Sequence, residues 1–250
     1  MKIGAQFYTL RDLCQNTDDF AETLKKVADI GYTTVQISGT CTYEPAWLKE
    51  QLDKNGLSCV LPHIPRERLA SEAALVAKEH DVFDCRYVGL GSYVFDPEDG
   101  ENSLLDFETV FGGAAKILKD NGKYFMYHNH AHEFAKCGDK VFLRHIAERI
   151  PADLMGFTLD TYWVQMGGGD PAWWLEFLKG RVPCIHLKDF AYDRKMAPVG
   201  EGNINFDRVF EKAALAGTQY MLVEQDDCYG EDPLDCLKRS YAFLKANGFE

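Results

Sequence analysis

Eight short apolar runs, spread along the whole chain, constrain its fold more than any other feature of the sequence. Each has the length of a buried parallel β-strand. They span Ile3 to Leu10, Thr34 to Ile37, Leu57 to Leu61, Tyr87 to Leu90, Tyr124 to Tyr127, Met155 to Leu159, Pro183 to Leu187 and Tyr220 to Val223. Helical patterns separate the runs, so strand and helix alternate to the C-terminus. The 250 residues therefore predict an α/β fold, a (β/α)8 TIM barrel, with residues 1–250 in one domain.

The helical segments carry recognisable start signals. Asp170 and Asp232 are each followed by proline, which predicts a helix N-cap with proline at the first helical position, where its missing N–H costs nothing. Between Thr17 and Gly31, apolar residues recur every three or four positions and predict an amphipathic helix. An open doubly wound sheet is the alternative fold. However, the segment from Gln6 to Leu13 lacks the glycine-rich phosphate turn that usually follows its first strand.

Composition narrows the class of partner and the compartment. The formal net charge of −12 would repel a phosphate backbone, and Lys and Arg are scattered, so we expect no nucleic-acid partner. The eight cysteines form no C-x-x-C pair, which favours reduced thiols and a cytoplasmic location. Because no run of ~18 apolar residues occurs and no signal-like segment opens the chain, we expect a soluble protein that does not bind membranes. The oligomeric state stays open.

Ionisable side chains lie at or just beyond the C-terminal ends of the last four apolar runs. They are Glu133, Asp160, His186 and Glu224, each about one βα repeat of ~30 residues from the next. Because a βα barrel brings the C-terminal ends of all its strands to one rim, we expect these groups to converge. Taken singly, Asp160 could cap a turn and Glu224 could lie on the surface. Buried alone, His186 would cost ~1–3 kcal/mol, so it needs a metal or a hydrogen bond.

The segment YHNHAHEF, residues 127–134, places three histidines beside Glu133. Strand alternation would put His128, His130 and His132 on one side, whereas Glu133 needs a bend to join them. One histidine here is as easily structural as functional, but three within five residues favour a functional role. Mixed oxygen and nitrogen ligands suit Mn²⁺, Mg²⁺, Co²⁺ or Zn²⁺. Three carboxylates among four ligands favour Mn²⁺ or Mg²⁺, because hard oxygen donors prefer hard cations.

Six short motifs follow one another in a fixed order along the chain. They are IGAQFYTLRD at 3–12, YHNHAHEF at 127–134, LDTYWV at 159–164, HLKD at 186–189, GEG at 200–202 and VEQD at 223–226. The set resembles the sugar phosphate isomerase/epimerase family, which shares the xylose isomerase-like barrel. The resemblance implies a small sugar substrate and a metal held by the four residues that the spacing selects, Glu133, Asp160, His186 and Glu224.

The resemblance also implies roles for individual side chains. Glu133 and Glu224 would exchange protons with the bound sugar, and His63 and Lys188 would contact its hydroxyl groups. A turn histidine and a solvated lysine are equally open interpretations of the last two. Further, we place His130 among the substrate-binding residues.

Trp163 departs from the pattern of the ketose epimerases that the chain resembles. Those enzymes commonly carry a histidine three residues after the metal-binding aspartate, which is Asp160 here. An indole can stack on a sugar face, but it cannot accept a proton or bind a metal. We therefore count Trp163 as a substrate-binding residue. It makes the chain more similar to the branch of the family that acts on oxidised sugars, including 3-keto-glycosides.

These residues predict an enzyme that removes a proton next to a carbonyl through a metal-stabilised enediolate, with Glu133, Glu224 and His128 as catalytic groups. Return of the proton would make it a sugar isomerase or epimerase, which we rank first because this is the family's broad activity. Loss of a β-substituent would make it a lyase or dehydratase acting on an oxidised sugar such as a 3-keto-glycoside or an inosose. Two alternative functions fit the sequence less well. A metal-dependent endonuclease needs a basic groove, which the net charge of −12 argues against. A non-catalytic sugar-binding barrel would not need the intact set of metal ligands.

The loop from Phe190 to Asn203 is long for a βα connection. Its glycines, Gly200 and Gly202, would allow it to close over a substrate, so it is a candidate lid. Arg194 and Lys195 could meet a phosphate there, although solvated loop charges are the simpler interpretation.

Overall fold

The computed structural model describes residues 1–250, and its central element is an eight-stranded parallel sheet. The strands are β1 (Lys2–Gln6), β2 (Thr34–Gln36), β3 (Ser58–Cys59), β4 (Tyr87–Leu90), β5 (Tyr124–His128), β6 (Met155–Asp160), β7 (Cys184–Leu187) and β8 (Tyr220–Val223). They pair in the order β3, β2, β1, β8, β7, β6, β5, β4. All seven pairings between neighbours are parallel, as expected of strands joined by crossover helices.

The chain just after β3 closes the barrel against β4. His63 forms a parallel bridge with Gly89. The Gly89 N–H donates to the Pro62 carbonyl at 2.9 Å, and the Ile64 N–H donates to the Gly89 carbonyl at 2.8 Å. Glycine is required at position 89 because a Cβ there would lie 2.8 Å from the His63 ring. The predicted (β/α)8 barrel is confirmed.

Nine α-helices accompany the strands, and the last of them follows β8. They are α1 (Thr17–Ile30), α2 (Pro45–Asn55), α3 (Arg66–Val82), α4 (Gly100–Asp120), α5 (Phe142–Arg149), α6 (Thr161–Met166), α7 (Pro171–Phe177), α8 (Phe206–Ala216) and α9 (Pro233–Ala246). As predicted, Asp170 and Asp232 cap α7 and α9 by accepting the N–H groups of Ala172 and Leu234. The predicted helix α1 is also present, with Asn16 as its N-cap. None of the helices combines the length and apolar character needed to cross a membrane.

The first apolar run is divided between a strand and a 3₁₀ helix. β1 ends at Gln6, and Phe7–Leu13 forms the 3₁₀ helix. The Gln6 side chain ends the strand because its Oε1 accepts the N–H of Tyr8. The expectation of a strand as far as Leu10 is corrected accordingly.

The buried apolar residues form two clusters, one between the barrel and the helices and one in the barrel interior. The larger contains 59 buried residues. The smaller fills the interior and consists of Val60, Leu61, Tyr87, Met126, Cys184 and Leu222. Glycines make room for these side chains: a Cβ at Gly4 would lie 2.6 Å from Leu222 Cδ2, and one at Gly156 would lie 3.0 Å from Met126 Sδ. Toward the C-terminal ends of the strands the interior becomes polar, which is where a barrel carries its active site.

The segment after β7, the candidate lid, is fixed at its base. The buried Asp189 carboxylate accepts the N–H groups of Gly200 at 2.9 Å and Gly202 at 2.8 Å. A Cβ at position 202 would lie 2.4 Å from Asp189 Oδ1, so this glycine allows the close approach of the carboxylate. A two-stranded ribbon pairs Asp189–Phe190 with Met196–Ala197. The two glycines therefore anchor the loop, and only its tip is free of these contacts.

Candidate metal centre and active site

Four side chains converge at the C-terminal end of the barrel interior. His128, Asp160 and His186 lie on β5, β6 and β7, and Glu224 directly follows β8. Their potential ligand atoms all lie within 4.8 Å of one another, and all four residues are buried. Three of the four residues expected to converge, Asp160, His186 and Glu224, are therefore brought together.

Both imidazoles of the cluster have their outer nitrogen against a carbonyl oxygen. His128 Nδ1 lies 2.9 Å from the Gly91 carbonyl oxygen, and His186 Nε2 lies 2.6 Å from Gln36 Oε1. Because a carbonyl oxygen only accepts hydrogen bonds, the outer nitrogen of each ring carries a proton. The inner nitrogens of the neutral rings then present lone pairs to the centre of the cluster, as metal-ligating histidines do.

The nitrogen and oxygen atoms that face the centre of the cluster are hydrogen-bond acceptors that lie close together. His186 Nδ1 lies 2.8 Å from Glu224 Oε2 and 3.7 Å from Asp160 Oδ2, and His128 Nε2 lies 3.2 Å from the same Asp160 oxygen. His186 Nδ1 is buried without a hydrogen-bond partner, and its nearest neighbour, Glu224 Oε2, is itself an acceptor. Two nitrogens and two carboxylates oriented in this way could hold a divalent metal ion.

The electrostatics of the two imidazoles differ. Burial disfavours the charged form of His186, but the carboxylates of Glu224 and Asp160 outweigh burial and raise the pKa of this ring above its usual value. Without a cation the ring therefore tends to take up a second proton, which a metal would displace. Burial and the neighbouring His186 lower the pKa of His128.

Lys188 places a buried ammonium group among three carboxylates. Its Nζ lies 3.1 Å from Asp160 Oδ2, 2.9 Å from Glu224 Oε2 and 2.7 Å from Asp226 Oδ1. Burial would lower the pKa of Lys188, but these carboxylates raise it above its usual value. Burial would likewise raise the pKa of Asp160, yet Lys188 and His128 keep it low. Burial and the charge of Glu224 raise the pKa of Asp226 to about 7. With all three carboxylates ionised, one ammonium leaves an excess of two negative charges, which a divalent cation would neutralise.

The structure does not bring Glu133 to the cluster, and His128 takes the place expected for it. Tyr127 and His128 are successive residues of β5 and point to opposite sides of the sheet. Glu133 is on the Tyr127 side: its Oε1 accepts the Tyr127 hydroxyl at 2.5 Å, and its Oε2 accepts the His130 N–H at 2.8 Å. His128 therefore occupies the position in the cluster where Glu133 was expected. Glu133 forms a separate group with His130 and His132, in which both of its oxygens are already engaged.

A cavity of about 570 Å³ is lined by cluster residues and by all four residues expected to contact substrate, His63, His130, Trp163 and Lys188. The His63 ring stacks on His128 with the ring centres 5.5 Å apart. The Trp163 ring centre lies 5.5 Å from Lys188 Nζ and 5.3 Å from the His130 ring, and its indole N–H is buried without a partner. The loop residues considered for phosphate, Arg194 and Lys195, are not part of this lining.

The sequence interpretation missed Gln6, Gln36 and Asp226. Gln6 Nε2 donates to Glu224 Oε1 at 2.6 Å, and Gln36 orients His186. Gln6 lay within the first predicted apolar run and Gln36 within the second. A polar side chain inside such a run was the available signal, since it marks the point where the strand reaches the rim.

The chain was compared with known families and proteins. It matches the model of the xylose isomerase-like TIM barrel family over residues 24–247. It is 25% identical over 195 residues to an inosose dehydratase from Geobacillus kaustophilus (strain HTA426). The match covers 69% of this chain, which spans about 62% of the length of that curated relative.

Solved structures show the same fold. A sugar phosphate isomerase/epimerase from Parabacteroides distasonis ATCC 8503 superposes with a TM-score of 0.82 at 22% identity, covering 98% of this chain and 93% of that one. A probable 3-DHS dehydratase from Bacillus anthracis gives a TM-score of 0.77 at 13% identity, covering 98% and 99% of the two chains. The family match and these folds confirm the resemblance identified in the sequence. The chain belongs to the xylose isomerase-like TIM barrel family.

Proposed function

We propose that the protein is a divalent-metal-dependent enzyme that removes a proton next to the carbonyl group of a sugar or a cyclic polyol. One observation carries the proposal: His128, Asp160, His186 and Glu224 converge beside a polar cavity, with both imidazoles oriented by carbonyl oxygens. Membership of a family that includes isomerases, epimerases and dehydratases supports the same chemistry.

His128, Asp160, His186 and Glu224 would hold the metal, which when bound polarises a carbonyl group and stabilises negative charge on its oxygen. Two imidazoles and two carboxylates make a softer donor set than the three carboxylates and one imidazole predicted from the sequence. Mn²⁺, Co²⁺ or Zn²⁺ therefore suits the site better than Mg²⁺. We propose Mn²⁺, which accepts both kinds of donor.

Glu224 is the group best placed to take the proton. Its Oε1 accepts a hydrogen bond from Gln6 Nε2, its Oε2 lies 2.9 Å from the Lys188 ammonium group, and the residue lines the cavity. Burial would raise the pKa of Glu224, but the charges of Lys188 and His186 keep it well below its usual value, so the carboxylate is ionised. Lys188 lines the same cavity and can donate hydrogen bonds to substrate oxygens.

Elimination is the outcome that the site favours. The proton passes to Glu224, the electron pair of the broken C–H bond forms a C=C bond, the β C–O bond breaks, and the departing oxygen takes a proton from Glu224 or from water. The products are an unsaturated ketone and water or an alcohol, without oxidation or reduction. An epimerase needs a second group to return the proton, and Glu133, expected in that role, points away from the site. Isomerisation or epimerisation is the second candidate, because the family includes isomerases and epimerases.

NMR in D2O with the Mn²⁺-loaded protein tests the proposal, with an inosose, a 3-keto-glycoside and a ketohexose as substrates. We expect deuterium incorporation next to the carbonyl and formation of an unsaturated ketone. Glu224→Gln should slow both by about 10²- to 10⁴-fold, the usual contribution of a positioned base. The control Glu211→Gln changes an exposed glutamate of α8 and should leave the rate unchanged. An epimer without elimination would favour the second candidate, and a result with neither deuterium incorporation nor an unsaturated ketone for any substrate would refute the proposal.

A further inference from the structure

A second cavity, of about 300 Å³, lies next to the active-site cavity. Its walls come from residues 37–45 after β2, residues 63–65 after β3, and one face of α3. Five residues line both cavities: Ser38, Gly39, His63, Ile64 and Pro65. The two spaces therefore meet at these residues, and a single ligand can extend from one into the other.

His63 lies at the junction of the two cavities. Its Nδ1 is 3.1 Å from Ser38 Oγ, and its Nε2 is buried without a partner. Glycine at position 91 allows the ring to sit there, because a Cβ would lie 3.0 Å from His63 Nδ1. The active-site side of the same ring stacks on His128. A ligand bound across the junction would thus pass within reach of a free imidazole nitrogen.

His80 gives the second cavity a free hydrogen-bond acceptor. This residue of α3 is 0% exposed and lines the cavity. Its Nδ1 lies 2.8 Å from the Val76 carbonyl oxygen, so Nδ1 carries the proton and Nε2 presents a lone pair. Nε2 has no partner in the protein. Leaving such a buried group without a hydrogen bond is destabilising, so a donor from a ligand or a water is expected at this position.

The remainder of the lining suits a neutral, hydroxylated ring. Arg68 and Glu79 are the charged residues of the lining, and they pair with each other at 2.8 Å. The cavity therefore offers no free charge to a phosphate or a carboxylate. Its lining combines hydroxyl groups with apolar and aromatic side chains, as binding both the edge and the face of a sugar ring requires. They are Ser38, Thr40 and Thr42, and Ile37, Tyr43 and Phe83.

We propose that the second cavity is a binding subsite for a neutral, polyhydroxylated group attached to the reacting unit, with His80 Nε2 accepting a hydrogen bond from one of its hydroxyls. The substrate is then a two-unit molecule, such as a glycoside of an oxidised sugar. This inference rests on the proposed function, which concerns the chemistry in the first cavity.

A pair of matched substrates tests the inference. 3-Keto-glucose carries the reacting ring alone, and 3-keto-cellobiose carries a second glucose on the oxygen that leaves when the C2 proton is removed. The wild-type kcat/KM should be about tenfold or more higher for 3-keto-cellobiose, which corresponds to one retained hydrogen bond or more. Thr40→Phe, which fills the cavity, and His80→Leu, which removes the acceptor, should lower kcat/KM for 3-keto-cellobiose by about 10- to 100-fold and for 3-keto-glucose by about twofold at most. Thr33→Phe, an exposed residue outside both linings, is the control.

Equal losses for the two substrates, or no wild-type preference for the larger one, would overturn the subsite. If the metal-loaded wild type turns over neither substrate, the proposed function fails, and crystals soaked with cellobiose then test the subsite separately. A glucose ring with a hydroxyl within hydrogen-bond distance of His80 Nε2 would support it. Water alone in the second cavity would overturn it.

Discussion

Replacement of Lys188 by methionine should destabilise the metal-free protein strongly. The ammonium group is 1% exposed and lies 2.7 to 3.1 Å from the carboxylates of Asp160, Glu224 and Asp226. Methionine keeps most of the side-chain volume but leaves three carboxylates in a buried space without their cation. Removing one partner of a buried ion pair typically costs about 3–5 kcal/mol.

That cost should be visible as a shift of the thermal midpoint. For a chain of this size, about 1 kcal/mol corresponds to ~2–4 °C, so Lys188→Met should lower Tm by about 6–20 °C in the presence of EDTA. Saturating Mn²⁺ should reduce the difference, because the metal and the ammonium group neutralise the same carboxylates. Differential scanning calorimetry of both proteins, with EDTA and with Mn²⁺, measures the two shifts.

Lys195→Met is the matched control for this experiment. Lys195 has a 56% exposed side chain and pairs with the loop residue Asp193, so its loss should change stability by less than ~0.5 kcal/mol. If Lys188→Met in EDTA melts within the range of this control, Lys188 does not neutralise the buried carboxylates. If its deficit is the same with and without Mn²⁺, the metal and Lys188 do not share ligands.

Three further predictions concern neighbouring features. Gln36→Met removes the acceptor that orients His186 and should weaken Mn²⁺ binding by about 10- to 100-fold in a chelator competition; an unchanged Kd would contradict this. Gly4→Ala places a Cβ 2.6 Å from Leu222 Cδ2 and should cost about 1–3 kcal/mol in urea unfolding, whereas an unchanged midpoint would show that the interior can adjust. Burial lowers the pKa of His80 from 6.5 to about 4, so the unfolded chain takes up this proton first and stability should fall as pH drops from 6.5 to 4. His80→Leu should remove about 3 kcal/mol of that pH dependence, and an identical pH profile for variant and wild type would refute the assignment.

The sequence was sufficient to predict three of the four cluster residues because strand ends in a barrel share one rim. Asp160, His186 and Glu224 each follow directly on an apolar run, and the barrel places them together without further information. The fourth position depended on where β5 ends. The strand continues through His128, one residue beyond the apolar run, and this turns the imidazole inward.

Glu133 could not have been excluded from the sequence alone. Glu133 lies in the 3₁₀ helix His132–Phe134 that follows the strand, and the direction of its carboxylate is set by the Tyr127 hydroxyl and the His130 N–H. The bend that the residue needed to reach the cluster was recognisable in advance. The two hydrogen bonds that hold the carboxylate on the outer side of the sheet could not be recognised from the sequence.

Tertiary contacts also changed the interpretation of the loop after β7. Glycines in a long βα connection suggested a hinge, but Gly200 and Gly202 both donate to the Asp189 carboxylate, which is buried eleven or more residues earlier in the chain. Glycine here serves a close approach of backbone to side chain. Glycine can serve as a hinge or allow a close approach of this kind, and only the tertiary packing shows which role it has.

Anomalous diffraction from crystals grown with Mn²⁺ measures the metal site directly. We predict one strong peak at ~2.0–2.3 Å from His128 Nε2, His186 Nδ1 and a carboxylate oxygen of each of Asp160 and Glu224. A peak coordinated by Glu133 in place of His128, or no peak at saturating Mn²⁺, would contradict the proposed metal centre and the chemistry that depends on it.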